Sequence, residues 1–124
     1  DPHLIHAAGA VAYSNEGSTN TNGSRFFIVT GEKLTQEEAE QLESYGYAFT
    51  DSEKEIYTEK GGLPWFDGSY TVFGQVFDGL DVVFDIQDTA VDEYYKPQKD
   101  VVIEKMTVTQ YSGEEVRWDI SDYK

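Results

Sequence analysis

The sequence predicts a mainly β domain with short helices, on three grounds. Four aromatic and β-branched runs, at residues 9–14, 26–30, 70–76 and 101–110, have strand length and are set off by polar or Gly-containing stretches. Two Thr-x-x-Glu signatures, Thr35 with Glu38 and Thr50 with Glu53, open short helical stretches. The chain has 124 residues, 39% hydrophobic and 15% aromatic, which suits a single domain with one core.

Composition excludes several functions. A formal net charge of −15 argues against a nucleic-acid partner and against an anionic membrane surface. No apolar run is long enough to cross a bilayer. The chain has no cysteine, so disulfides, thiol catalysis and Cys-based zinc sites are out. His3 and His6 are the only histidines, and with no further ligand pattern around them they read as surface or packing residues. No metal or cofactor is expected. The expected location is the cytoplasm. An exported or cell-surface form is the alternative, because the chain opens on Asp1 rather than Met.

Taken in order, residues 1–8 are an irregular lead-in and residues 9–14 a first strand. A polar loop, Asn15-Glu16-Gly17-Ser18-Thr19, leads to Asn20-Thr21-Asn22-Gly23-Ser24. Asn22-Gly23 is a turn signal, since both residues tolerate positive φ. Residues 26–30 form the second strand. Residues 31–63 are an acidic helical insertion. Its first helix runs over 36–44 with Ala39 and Leu42 inward, and its second runs from Thr50 through Ile56 and Tyr57 to a stop at Gly61-Gly62. Trp65-Phe66-Asp67-Gly68 is an aromatic turn, 70–76 a third strand, and 80–87 a helix with Leu80, Val83 and Phe84 at helical spacing. A polar loop at 90–100 surrounds Pro97. The run at 101–110 changes phase between Ile103 and Met106, which predicts a strand with a bulge near Glu104-Lys105. Residues 111–124 form a charged tail whose Trp118, Ile120 and Tyr123 could dock on the body.

Three of these segments together resemble the cyclophilin family of peptidyl-prolyl cis-trans isomerases. They are Gly9-Ala10-Val11-Ala12-Tyr13-Ser14-Asn15-Glu16-Gly17, Asn20-Thr21-Asn22-Gly23-Ser24-Arg25-Phe26-Phe27-Ile28, and Trp65-Phe66-Asp67-Gly68-Ser69-Tyr70-Thr71-Val72-Phe73-Gly74-Gln75-Val76. The family patterns are G-x-(V/I/L)-x-M-A-N-x-G-x-N-T-N-G-S-Q-F-F-I and W-L-D-G-x-(H/Y)-x-V-F-G-x-V. The resemblance implies a cyclophilin-like antiparallel β-barrel, incomplete in this chain, with a groove that binds extended peptides around an X-Pro bond. It implies proline-containing peptides or unfolded proteins as partners, with a cyclosporin-like ligand as a further candidate. It implies no cofactor. Phe27, Phe66 and Tyr70 match the proline pocket, and Trp65 matches a tryptophan beside the groove. Ser14, Asn15 and Glu16 match the segment that pairs with the substrate backbone. Phe26, Val72 and Phe73 match core positions.

This chain departs from the pattern in places. Arg25 stands where the family usually has Gln, and is expected to project toward the groove. Tyr13-Ser14 replaces Met-Ala, and the loop holds one extra residue at Ser18 or Thr19. The insertion is longer than the corresponding loop of compact cyclophilins, and similar insertions occur in bacterial relatives. The resemblance runs from about Gly9 to Val108 and corresponds to the C-terminal part of a cyclophilin. The family's F-x-R-x-x-x-x-F-M-x-Q-G-G-D segment, which carries the catalytic arginine, has no counterpart here. The arginines of this chain are Arg25 and Arg117, and neither lies in such a motif. The resemblance therefore implies an isomerase, with a non-catalytic module for proline-containing peptides as the alternative, and no catalytic residue is assigned.

Overall fold

The computed structural model describes residues 4–113. Its centre is a three-stranded antiparallel sheet with order β2-β1-β3: β1 is Ala10–Tyr13, β2 is Phe26–Ile28 and β3 is Thr71–Gln75. Ala12 pairs with Phe27 on one side and Val72 on the other. Cross-strand partners share a face, so these three and Ala10 define the inner face. Ala10, Ala12, Val29 and Val72 are buried there, with Phe27, Leu63 and Tyr70 packed against them. Small alanines on β1 let the aromatic rings of neighbouring strands cover it. The ladder extends past the strand ends through Gly9 N–H to the Val29 carbonyl (2.8 Å) and Val76 N–H to the Gly9 carbonyl (2.8 Å).

The register slips between Val11 and Ala12, so Val11 pairs with Gly74 but Ala12 with Val72. Phe73 is the extra residue of a bulge. It turns outward and stacks on Tyr13 with centroids 4.2 Å apart. Phe73 and Phe26 are both exposed, whereas Val72 is buried. The core assignment thus holds for Val72 and is corrected for the two phenylalanines: strand alternation puts Phe26 opposite Phe27, and the bulge displaces Phe73.

Both helices of the insertion have the predicted capping boxes. Helix α1 is Gln36–Ser44 and α2 is Asp51–Glu59, with Thr35 and Thr50 as N-caps and Glu38 and Glu53 reaching back to their backbone N–H groups. Hydrogen bonding to Thr35 lowers the Glu38 carboxyl below its ordinary range. Ala39 and Tyr57 are buried, and Lys54 bridges to Glu43 at 3.0 Å between the helices. Helix α3, Leu80–Gln87, buries Leu80.

Three local expectations are corrected. Asn22 has φ −57 and Gly23 does not take positive φ. The loop forms a 3-10 turn at Thr19–Thr21 instead, with Asn22 as its C-cap and the Asn22 amide donating to Thr71 Oγ1 at 3.2 Å. The lead-in is no periphery: His6, Ala7 and Ala8 are buried, tied by Ala8 N–H to the Gly61 carbonyl (3.0 Å) and Leu63 N–H to the His6 carbonyl (2.9 Å). Residues 101–110 form no strand and are exposed, Val108 at 99%. An alternating pattern makes a strand only where a ladder partner exists, and no described strand pairs with this one. The bulge near Glu104-Lys105 falls with it. Trp118, Ile120 and Tyr123 lie outside the described residues.

Candidate functional site

The site starts from the aromatic turn. Pro64–Phe66 is a 3-10 turn with Pro at its first position, and the Phe66 carbonyl then accepts from Ser69 N–H (3.0 Å) and Tyr70 N–H (3.2 Å). These two hydrogen bonds to one carbonyl hold the turn in which the Phe66 and Tyr70 rings lie 4.9 Å apart. From β2, Phe27 meets Phe66 edge-on at 5.6 Å and Tyr70 at 5.3 Å. All three distances lie in the favourable range for aromatic pairs. The structure therefore brings Phe27, Phe66 and Tyr70 into one cluster.

A fourth ring closes it. His6 lies 6.2 Å from Phe27, 5.9 Å from Phe66 and 6.3 Å from Tyr70, with no exposed surface. Asp67 holds it. Its Oδ1 accepts from the His6 backbone N–H at 2.9 Å and lies 2.7 Å from His6 Nδ1. The carboxylate can only accept, so Nδ1 carries the proton in this pair. Nε2 then has no partner among the described residues. The other Asp67 oxygen accepts from the Tyr57 hydroxyl. Burial, then the hydrogen bond to Asp67, pushes the Tyr57 pKa far above the ordinary phenol value. His6, Tyr57 and Asp67 thus join the lead-in, α2 and the aromatic turn behind the ring cluster. None carries a local sequence signal of this role, apart from Asp67 standing inside the Trp-Phe-Asp-Gly motif.

The remaining predicted residues surround the cluster. Asn15 donates to the Ser69 carbonyl at 2.8 Å and accepts from Gly17 N–H at 3.0 Å, which fixes the loop after β1 against the turn. Ser14 N–H donates to the Arg25 carbonyl at 2.9 Å. Asn15, Trp65, Phe66 and Tyr70 line an open cavity of about 740 Å³. Glu16 and Arg25 do not line it: Arg25 meets Glu16 at 3.4 Å with both side chains largely exposed. Among the described residues no three His, Cys, Asp or Glu side chains are placed to hold a metal.

Phe66 and Tyr70 of the ring cluster line this open cavity with Asn15 beside them, whereas Phe27 is not on its walls and packs against the core. Comparison with known proteins gives the family. The family model described as cyclophilin type peptidyl-prolyl cis-trans isomerase/CLD matches residues 1–108. The chain belongs to this family. It is 43% identical over 102 residues to a protein of Staphylococcus aureus strain COL named "Putative peptidyl-prolyl cis-trans isomerase", covering 82% of this chain and 50% of that protein. A Staphylococcus epidermidis protein of the same name is 42% identical over the same length and shares. The chain spans about half the length of the curated relatives it matches.

Proposed function

We propose that Phe27, Phe66 and Tyr70 form the wall that receives a prolyl ring, in an isomerase that rotates X-Pro bonds and so assists protein folding. The observation that supports this most is the convergence of the three rings from two distant segments onto one cluster. X-Pro isomers differ by only about 0.5–1 kcal/mol, but a barrier of about 18–20 kcal/mol separates them. Catalysis needs no nucleophile. It needs a surface that binds the twisted amide better than either planar form. A rigid aromatic wall anchors the ring, while the Ser14-Asn15-Glu16 segment pairs with the peptide backbone and Trp65 flanks the groove. Unfolded chains with exposed prolines are the natural partners, and a cyclosporin-like cyclic peptide would compete for the same wall.

A proline-isomerisation assay tests this, run on the chain and on a form extended to the length of its relatives. Phe27→Ala should weaken binding of a proline peptide about tenfold. Unchanged binding would remove the wall assignment. A second reading, a binding module without catalysis, is favoured by one observation. Arg25 is tied to Glu16 at the surface and is not on the walls of the cavity that Phe66 and Tyr70 line. Binding without rate enhancement in both forms would select that reading.

The same family reading makes the sheet part of an antiparallel barrel. The outer edges of β2 and β3 carry no ladder partner among the described strands, and a closed barrel needs about eight strands before its interior fills. Open edges pair with available strands. Amide exchange at β2 and β3 should slow in the extended form if further strands join them.

A further inference from the structure

We propose that Tyr47, carried by the insertion, forms an accessory subsite that selects a large uncharged aromatic or apolar residue beside the proline. The inference rests on the proline-wall reading above. Tyr47 sits in the turn between α1 and α2, where Gly46 at φ +96 reverses the chain and Tyr47 N–H donates to the Leu42 carbonyl at 3.1 Å. This turn brings Tyr47 to the mouth of the candidate groove. Two cavities, of about 530 and 740 Å³, share Tyr47, Thr19, Gly68 and Tyr70 on their walls. The larger one is also lined by Phe66. Two rings of the proline-binding cluster, Phe66 and Tyr70, therefore line it directly. An extended peptide advances about 3.3–3.6 Å per residue, so the neighbour of a proline seated on Phe66 and Tyr70 reaches this cavity.

The lining sets the chemistry. Tyr47 and Trp65 keep 38% and 43% of their surface uncovered, leaving ring surface for a ligand. Asn15, Ser18 and Thr19 supply polar groups on the same cavity. No charged side chain lines the larger cavity, although the chain carries a net charge of −15. In the larger cavity, which Phe66 lines, an aromatic or apolar side chain is thus the better occupant than a basic one, and the acidic residues, Glu53 and Asp67, line the smaller cavity instead.

The test is a fluorescence or NMR titration of the wild type, Tyr47→Ala and Tyr47→Phe. The peptides are proline peptides with Ala, Phe or Lys placed on either side of the proline. The wild type should bind the Phe-flanked peptide about fivefold tighter than the Ala-flanked one. Tyr47→Ala should reduce that ratio below about twofold, and Tyr47→Phe should retain it, since the ring is the contact. Binding of proline peptides with no Phe preference overturns the subsite alone. So does a preference that survives Tyr47→Ala, or a stronger preference for Lys. Absence of binding to every peptide overturns both the subsite and the wall. Unchanged amide spectra outside the turn show that Tyr47→Ala is folded. If it is not, loss of the Phe preference in the exposed-loop deletion of Gly46 and Tyr47 supports the subsite, and its survival overturns it.

Discussion

Asp67→Ala removes the acceptor that three donors share. The His6 backbone N–H, at 2.9 Å, and the His6 Nδ1 proton, with the nitrogen 2.7 Å away, both point at one oxygen. The Tyr57 hydroxyl points at the other. His6 and Tyr57 have no exposed surface, so none of these donors reaches bulk water when the carboxylate goes. A buried donor left unsatisfied costs about 1–3 kcal/mol. The Asp67 side chain itself keeps 30% of its surface exposed, so water can enter the vacated space and satisfy one donor. The net expectation is a loss of about 3–5 kcal/mol. That is a large share of the about 5–15 kcal/mol typical of a domain, and should lower the melting temperature by about 10–20 °C. Urea unfolding followed by tryptophan fluorescence, with circular dichroism as a second probe, measures it. Asp67→Asn keeps an acceptor for His6 and should cost less, about 1–2 kcal/mol. Asp78→Ala is the surface control: its carboxylate accepts from Gly79 N–H at 3.0 Å in the exposed turn before α3. If Asp67→Ala unfolds within about 0.5 kcal/mol of the wild type, the network does not hold the lead-in to the aromatic turn.

Three further outcomes follow from the same geometry. Tyr57 has a raised pKa, so the folded state keeps its proton after the unfolded state has lost it. Its contribution is complete below about pH 10 and falls by about 1.4 kcal/mol per pH unit above that, and alkaline unfolding curves of Tyr57→Phe should lack this component. Gly62→Ala should destabilise by about 2 kcal/mol or more, because an added Cβ would lie 2.3 Å from the His6 carbonyl oxygen and 2.8 Å from Tyr57 Cε1 at φ +147; a thermal melt unchanged from wild type would contradict the packing. Arg25→Ala should change stability by less than about 0.5 kcal/mol, because its bond to Glu16 is long and exposed, and a larger loss in urea would show a role beyond the surface pair.

Local chemistry was legible from the sequence wherever the cause lies within a few residues. Thr35 and Thr50 announce their helices because a capping box needs only the residue three positions on. The ring cluster was legible through motifs, since Phe27, Phe66 and Tyr70 each sit in one. What depends on a distant partner was not. Phe73 looks like a core residue until β1 fixes the bulge that turns it out. Residues 101–110 alternate like a strand, yet alternation does not provide a ladder. His6 has no pattern around it, and its burial follows from Asp67 and Tyr57, which the chain brings from far along the sequence.

The insertion shows how an added segment can reach a site without disturbing the sheet. Its two ends meet backbone to backbone: an added Cβ on Gly31 would lie 2.2 Å from the Gly62 oxygen, and Gly62 N–H donates to the Glu32 carbonyl at 3.2 Å. The chain therefore leaves and re-enters the body at one point. Closing a loop costs little more as the loop grows, about 0.6 kcal/mol per doubling of length. What the extra residues need is their own packing. Ala39 and Tyr57 supply it from the two helices, and Tyr57 anchors that packing to Asp67 in the aromatic turn. One carboxylate thus fixes both the turn that carries Phe66 and the helix that follows Tyr47. Changes in the length of α1 or α2 would move Tyr47 relative to the proposed groove while leaving the β1 register untouched, so chemistry beside the proposed proline wall can vary independently of the sheet.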